Sequence, residues 1–249
     1  MKCIIRFMDD RQKIIEHLQK HLSERTDVHA FWLEGSVAQG YADEYSDIDL
    51  WLSVDDSKIF TIFDDVELML ADIAPIDFRD IVKSKGELGQ NTYHLRGMSE
   101  FLTIDINTQG ISRDVYLVSG IDDANIIFDK RGVVKFKERE QIDIDIEAKH
   151  KKLQGFYTQM RLNILKNIRR GKNLEALYYY HLTLRYAMKY LRLKYGWNEK
   201  TDFDLKHIYR DLPENETKRL EQFYDIQLRE IEDVLPELEK WIDSLCNEN

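Results

Sequence analysis

Two apolar runs, residues 28–33 and 48–54, bracket a polar segment that begins Gly35-Ser36 and ends Asp47-Ile48-Asp49. Both runs have the length and β-branched or aromatic content of strands. The chain must therefore break a strand at Gly35, cross a polar loop, and open the next strand on acids. On a strand, residues i and i+2 share a face, so Asp47 and Asp49 point the same way and Ile48 and Leu50 point to the other. Two carboxylates side by side repel unless a cation lies between them. Hard oxygen ligands of this kind suit Mg²⁺. Gly35 lets backbone approach a ligand closely, and the Ser36 hydroxyl and nearby N–H groups suit phosphate oxygens. A phosphate cradle beside a carboxylate pair implies phosphoryl or nucleotidyl transfer. No Gly-Lys-Ser/Thr follows a glycine-rich run, so the segment is not a P-loop. No closing glutamate completes a 12-residue calcium loop.

Around this segment the sequence alternates between helix and strand signals. Residues 9–23 read as an amphipathic helix, with Ile14, Ile15, Leu18 and Leu22 at helical spacing. A helix is expected over 58–71 and a strand over 75–78. Residues 93–96 and 101–106 read as a hairpin with Gly97 in its turn, and 125–129 as a last strand. From residue 142 turn residues become rare. Helices are expected over 143–170, 173–194, 203–210, 215–227 and 230–245, with Gly171 and Gly196 closing the first two. The reading is α+β in two units: a mixed α/β domain over 1–140 and a helical bundle over 141–249.

Composition bounds the rest. The 249 residues carry 36 Lys/Arg against 46 Asp/Glu, a formal net charge of −10. That balance opposes a nucleic-acid-coating role, which needs a basic surface to displace counterions. The 43% apolar content is too high for a disordered chain. No run of 18 apolar residues occurs, so no membrane span is expected. Cys3 and Cys246 lie at opposite ends with neither metal-ligand nor disulfide spacing, which fits a reducing cytoplasm. Residues 149–172 hold eight Lys/Arg and no acid, whereas 211–249 hold twelve Asp/Glu against four Lys/Arg. Solvated helix faces explain both runs; contact with phosphate and attraction of a cation are the functional alternatives.

The motif GSVAQGYADEYSDIDLWL, residues 35–52, resembles the signature of the DNA polymerase β-like nucleotidyltransferase superfamily, and is closest to the aminoglycoside and lincosamide nucleotidyltransferases. The resemblance implies a third carboxylate on a neighbouring strand. Asp105, in the alternating run 101–106, is favoured over Asp77. It implies two Mg²⁺ ions held by Asp47, Asp49 and Asp105, with ATP or another nucleoside triphosphate as co-substrate. Gly35, Ser36, Ser46 and Lys189 are assigned to the nucleotide. The reaction implied is an in-line displacement at the α-phosphorus, with Asp105 able to accept the proton of the attacking hydroxyl and pyrophosphate leaving.

The same resemblance makes the helical half the acceptor-binding part. Glu175 is the candidate for a helical general base, although Tyr179 stands where a basic residue is expected. His181 and the run Tyr178–Tyr180 read first as packing residues, as do Trp32 and Trp51. The acidic balance tilts the acceptor toward a polycationic aminoglycoside, and with it toward antibiotic resistance. Nucleotidylation of a protein partner, nucleic-acid end modification and a non-catalytic nucleotide-binding module are the alternatives.

Overall fold

A computed structural model describes residues 2–82, 87–119, 121–122, 124–139, 143–197 and 200–247. The chain divides into two compact units, residues 1–140 and 141–249. The expected boundary, 140–142, lies outside the described residues, as do the side chains of Cys3 and Cys246.

The first unit begins with α1 (Lys2–Ser23), which leads into β1 (Val28–Glu34). A single helical turn, α2 (Gly35–Ala38), follows where a loop was expected, and β2 (Ile48–Val54) comes next. After a 3₁₀ turn over Asp56–Lys58, α3 (Ile62–Ile73) leads to β3 (Ile76–Val82), β4 (Leu88–Leu95) and β5 (Ile104–Gly110). The unit closes with β6 (Val115–Val118), β7 (Asn125–Asp129) and β8 (Val134–Lys137). Six strands form one sheet in the order β3-β4-β5-β2-β1-β7, while β6 and β8 pair separately. All contacts in the large sheet are antiparallel except β2 with β5.

One face of the sheet takes the apolar stripe of α1 (Ile14, Leu18 and Leu22) and Ile62, Val66 and Leu70 of α3 against Phe31, Leu33, Leu50 and Ile106. On the other face Ala30 and Trp32 pack with Leu117, Trp51 and Val134. The Trp32 and Trp51 rings stack 5.7 Å apart. β1 is thus covered on both sides, which is why its sequence reads as a continuous apolar run.

The second unit is helical: α4 (Ile146–Arg169), α5 (Asn173–Lys194), α6 (Ile208–Asp211), α7 (Glu214–Tyr224) and α8 (Ile231–Asn247). Leu153, Tyr157 and Ile164 of α4, Tyr180, Leu184 and Leu191 of α5, and Leu235, Leu238 and Ile242 of α8 share one core. Gly171 and Gly196 have positive φ, as helix-ending glycines do. The chain is an α+β protein, as its pattern of elements indicated.

Several expected elements differ. α1 starts seven residues before position 9. The helix expected from 58 starts at Ile62, where Asp64 and Asp65 suit a helix N-terminus. The helix expected over 203–210 shrinks to α6, because Asp204 and His207 adopt positive φ. The carbonyls of Asp204 and Lys206 turn instead to the buried Arg192 guanidinium, at 3.1 and 2.6 Å. Residues 125–129 are not the last strand: β8 follows, and Asp129 holds its approach by accepting from the N–H groups of Val133 and Val134, at 3.1 and 3.0 Å.

Candidate active site

The register of the sheet builds the site. Asp49 on β2 pairs with Glu34 on β1 and with Asp105 on β5, and Asp105 pairs with Thr92 on β4. Residues in register on neighbouring strands share a face. Glu34, Asp49, Asp105 and Thr92 therefore form a polar row across four strands. Asp47, one residue before β2, lies beside the middle of the row, next to Asp49 and Asp105. Ligand oxygens of Asp47, Asp49 and Asp105 all lie within 4.8 Å of one another, and all three residues are half-buried. Asp77 is not part of this group. It sits on the edge strand β3, 2.6 Å from Nδ1 of His94.

Neighbouring groups hold the carboxylates in place. The Thr92 hydroxyl donates to Oδ1 of Asp105. Gly35 has φ +67°, and a Cβ there would lie 2.0 Å from Oδ2 of Asp49. No other residue type fits that backbone without displacing the carboxylate. Ser36 is the second residue of α2, and its buried Oγ has no hydrogen-bond partner among the described residues. A buried hydroxyl with no partner, beside three clustered carboxylates, suits a divalent cation with its phosphate ligand. The donor set, three hard oxygens of like charge, fits Mg²⁺.

The other two residues assigned to the nucleotide lie one in each unit. Ser46 precedes Asp47, and its hydroxyl is engaged with Asp43: it donates to Oδ1 at 2.9 Å and accepts from the Asp43 N–H at 3.0 Å. Lys189 lies on α5 in the second unit, 2.6 Å from Asp202. Glu175, also on α5, is exposed and paired with Lys172 at 2.9 Å. His181 packs against Tyr180 and Tyr224, and the Tyr180 hydroxyl donates to the Phe223 carbonyl at 2.7 Å.

Besides Thr92, two residues were missed in the sequence. Arg11 on α1 is 6% exposed, and its Nε donates to the Ser46 carbonyl at 3.0 Å. Burial pulls its pKa down, and the charges of Asp43 and Asp47 pull it back up. It braces the residue just before Asp47. A signal existed: Arg11 continues the stripe Ile14, Leu18, Leu22, and an arginine on an apolar stripe needs a buried partner. Glu34 is the second. Burial raises its pKa, while the Trp32 indole N–H, donating at 2.9 Å, opposes that shift.

Residues 12–94 match the family described as polymerase beta, nucleotidyltransferase. This nucleotidyltransferase match takes in the second half of α1, both strands that bracket the Gly-Ser turn, and Asp47 and Asp49; it ends before Asp105. It covers about a third of the chain and supports the superfamily and nucleotidyl transfer as the general chemistry, while closeness to aminoglycoside enzymes goes beyond it. No curated protein matches the chain. Among solved structures, one titled "structure of GLD-2/RNP-8 complex" is 12% identical, with 92% of this chain and 69% of that chain covered and a TM-score of 0.35. A likeness at that score carries no argument here. Among the described residues, no helix is long and apolar enough to cross a membrane.

Proposed function

We propose that the protein transfers a nucleoside monophosphate, AMP from ATP, to a hydroxyl of a small molecule of the aminoglycoside type. The observation that carries this reading is the gathering of Asp47, Asp49 and Asp105 within 4.8 Å. Asp47, Asp49 and Asp105 would hold Mg²⁺, which when bound supplies positive charge against the triphosphate and the departing pyrophosphate. Gly35 keeps its backbone clear of Asp49, and the unpartnered Ser36 hydroxyl is proposed to donate to a phosphate oxygen. Lys189 is the proposed contribution of the helical unit to the nucleotide, and that unit is proposed to add contacts to the acceptor.

In the proposed step the acceptor oxygen attacks the α-phosphorus and the bond to the β-phosphate oxygen breaks. Pyrophosphate leaves with that bonding pair. Thr92 occupies Oδ1 of Asp105, so Oδ2 is the atom proposed to take the hydroxyl proton. What Thr92 provides is the alignment of that oxygen with the acceptor.

The test is pyrophosphate release with Mg²⁺ and ATP across aminoglycosides, lincosamides and simple amino sugars, with Asp47→Asn as control. Release that needs both an acceptor and Asp47 supports the reading. Silence across the panel with ATP still binding would move the reading to a protein acceptor or to a non-catalytic nucleotide-binding module.

A further inference from the structure

The two loops that deliver the acids also deliver three exposed aromatic rings, Tyr41, Tyr45 and Phe101, of which the last two touch. Residues 39–47 end at Asp47, and residues 96–103 lead into β5 and Asp105. The loops are tied where they meet the sheet, by the Ile48 N–H donating to the Thr103 carbonyl at 2.9 Å. Above that tie Tyr45 and Phe101 stand edge to face, their ring centres 5.1 Å apart. Tyr45 is 61% exposed and Phe101 50% exposed. Two touching rings left in water are costly to solvate, and such patches mark contact surfaces.

The charge carried by the two loops is one-sided, and the nearby cation Arg11 is buried and committed to the Ser46 carbonyl. The two loops carry Asp43, Glu44 and Glu100 besides Asp47, against Arg96 alone. Asp43 accepts from the Tyr45 N–H at 3.0 Å, so the acid and the ring belong to one turn. Its pKa is lowered, first by the Ser46 hydroxyl and then by that N–H, which keeps it charged. Carboxylates around an aromatic pair repel a triphosphate and attract an ammonium group. Aromatic faces take both the C–H face of a sugar ring and a cation.

We propose that Tyr45 and Phe101 form the seat of the acceptor. They hold the apolar face of a cationic, polyhydroxylated ring, with Asp43, Glu44 and Glu100 receiving its ammonium groups. This proposal rests on the transfer reading above and gives that reading a specificity site within the first unit. The two rings determine acceptor affinity and leave nucleotide affinity alone.

The probes are kanamycin, its fully N-acetylated form, and Mg²⁺ with a non-hydrolysable ATP analogue, each measured by calorimetry on the full chain. The wild type is expected to bind kanamycin, and to bind the N-acetylated form at least about tenfold more weakly. The double variant Tyr45→Ala/Phe101→Ala is expected to lose at least about tenfold in kanamycin affinity and to keep its affinity for the ATP analogue. Tyr45→Phe is expected to retain kanamycin binding, because the ring and not the hydroxyl forms the seat. Both residues are exposed, so an unchanged melting curve separates loss of the seat from loss of fold. Equal kanamycin affinity in wild type and double variant overturns the proposal. So does loss of the ATP analogue in the double variant, which would make the pair a nucleobase seat. A wild type that binds the ATP analogue but not kanamycin overturns this proposal and leaves nucleotidyl transfer standing. Failure to bind Mg²⁺ with the analogue at all overturns the transfer reading itself.

Discussion

The backbone of Gly35 and the carboxylate of Asp49 share one narrow space: a Cβ at position 35 would lie 2.0 Å from Oδ2 of Asp49. The glycine is needed twice, for that approach and for its φ of +67°. Gly35→Ala is expected to cost about 1–2 kcal/mol of stability from the left-handed backbone alone. It is also expected to push Asp49 out of line and lower the rate of pyrophosphate release by at least about 100-fold. A folded Gly35→Ala variant with wild-type turnover would show that the contact does not set the site.

Asp47, Asp49 and Asp105 repel one another when no cation is bound. Replacing any one with asparagine is expected to lower the rate by about 1,000-fold, a barrier increase of about 4 kcal/mol. The stability effect runs the other way. In a chelator, Asp105→Asn is expected to melt at or above the wild-type temperature, because one like charge is gone. Added Mg²⁺ raises the wild-type melting temperature by mass action and raises that of the variant less. A thermal shift titration with and without Mg²⁺ checks both signs.

Arg11 acts through Ser46. Arg11→Met keeps the apolar stem and removes the donor to the Ser46 carbonyl, at an expected cost of about 2 kcal/mol. Asp47 follows Ser46 directly, so kcat should fall about tenfold while the midpoint for Mg²⁺ weakens. Denaturant unfolding and steady-state kinetics on the same preparation separate the two effects. An Arg11→Met variant that loses stability but no activity would limit Arg11 to a packing role.

His94 and Asp77 make the edge of the sheet sensitive to pH. Burial lowers the His94 pKa, but Asp77 and the Ser99 carbonyl outweigh it and hold the pKa above 6.5. Asp77 is held below 3.8, first by its hydrogen bond to His94. A raised histidine pKa stabilises the folded state fully below the unfolded value and loses that contribution as pH rises through the folded value. A lowered carboxylate pKa stabilises above the unfolded value and is lost as pH falls. The pair therefore contributes most between about pH 4 and 6.5. Melting temperature is expected to decline above about pH 6.5, and Asp77→Asn is expected to flatten that decline. Equal slopes in the two proteins would contradict it.

The parts of this fold that were legible in the sequence are those set by local periodicity. The alternation of β2, the helical stripe of α1, and the placing of Asp105 on an alternating run all depend on side chains a few residues apart. The parts that were not legible depend on register between distant strands. Nothing near Glu34 announces that it will stand beside Asp49, and nothing near Thr92 announces its bond to Asp105. β6 and β8 are short, and they pair in parallel across an intervening strand. Their pairing is decided by packing over Trp32 rather than by their own pattern. α6 was overestimated because the Arg192 guanidinium takes carbonyls that a longer helix would have used internally.

The most direct test of the central claim follows the α-phosphate. ATP labelled at the α-phosphorus is incubated with Mg²⁺, kanamycin and the protein, and the products are separated. The account predicts label on kanamycin together with unlabelled pyrophosphate, and neither product with Asp105→Asn. Label remaining in ADP, with phosphate alone transferred or released, would contradict nucleotidyl transfer at the Asp47–Asp49–Asp105 site.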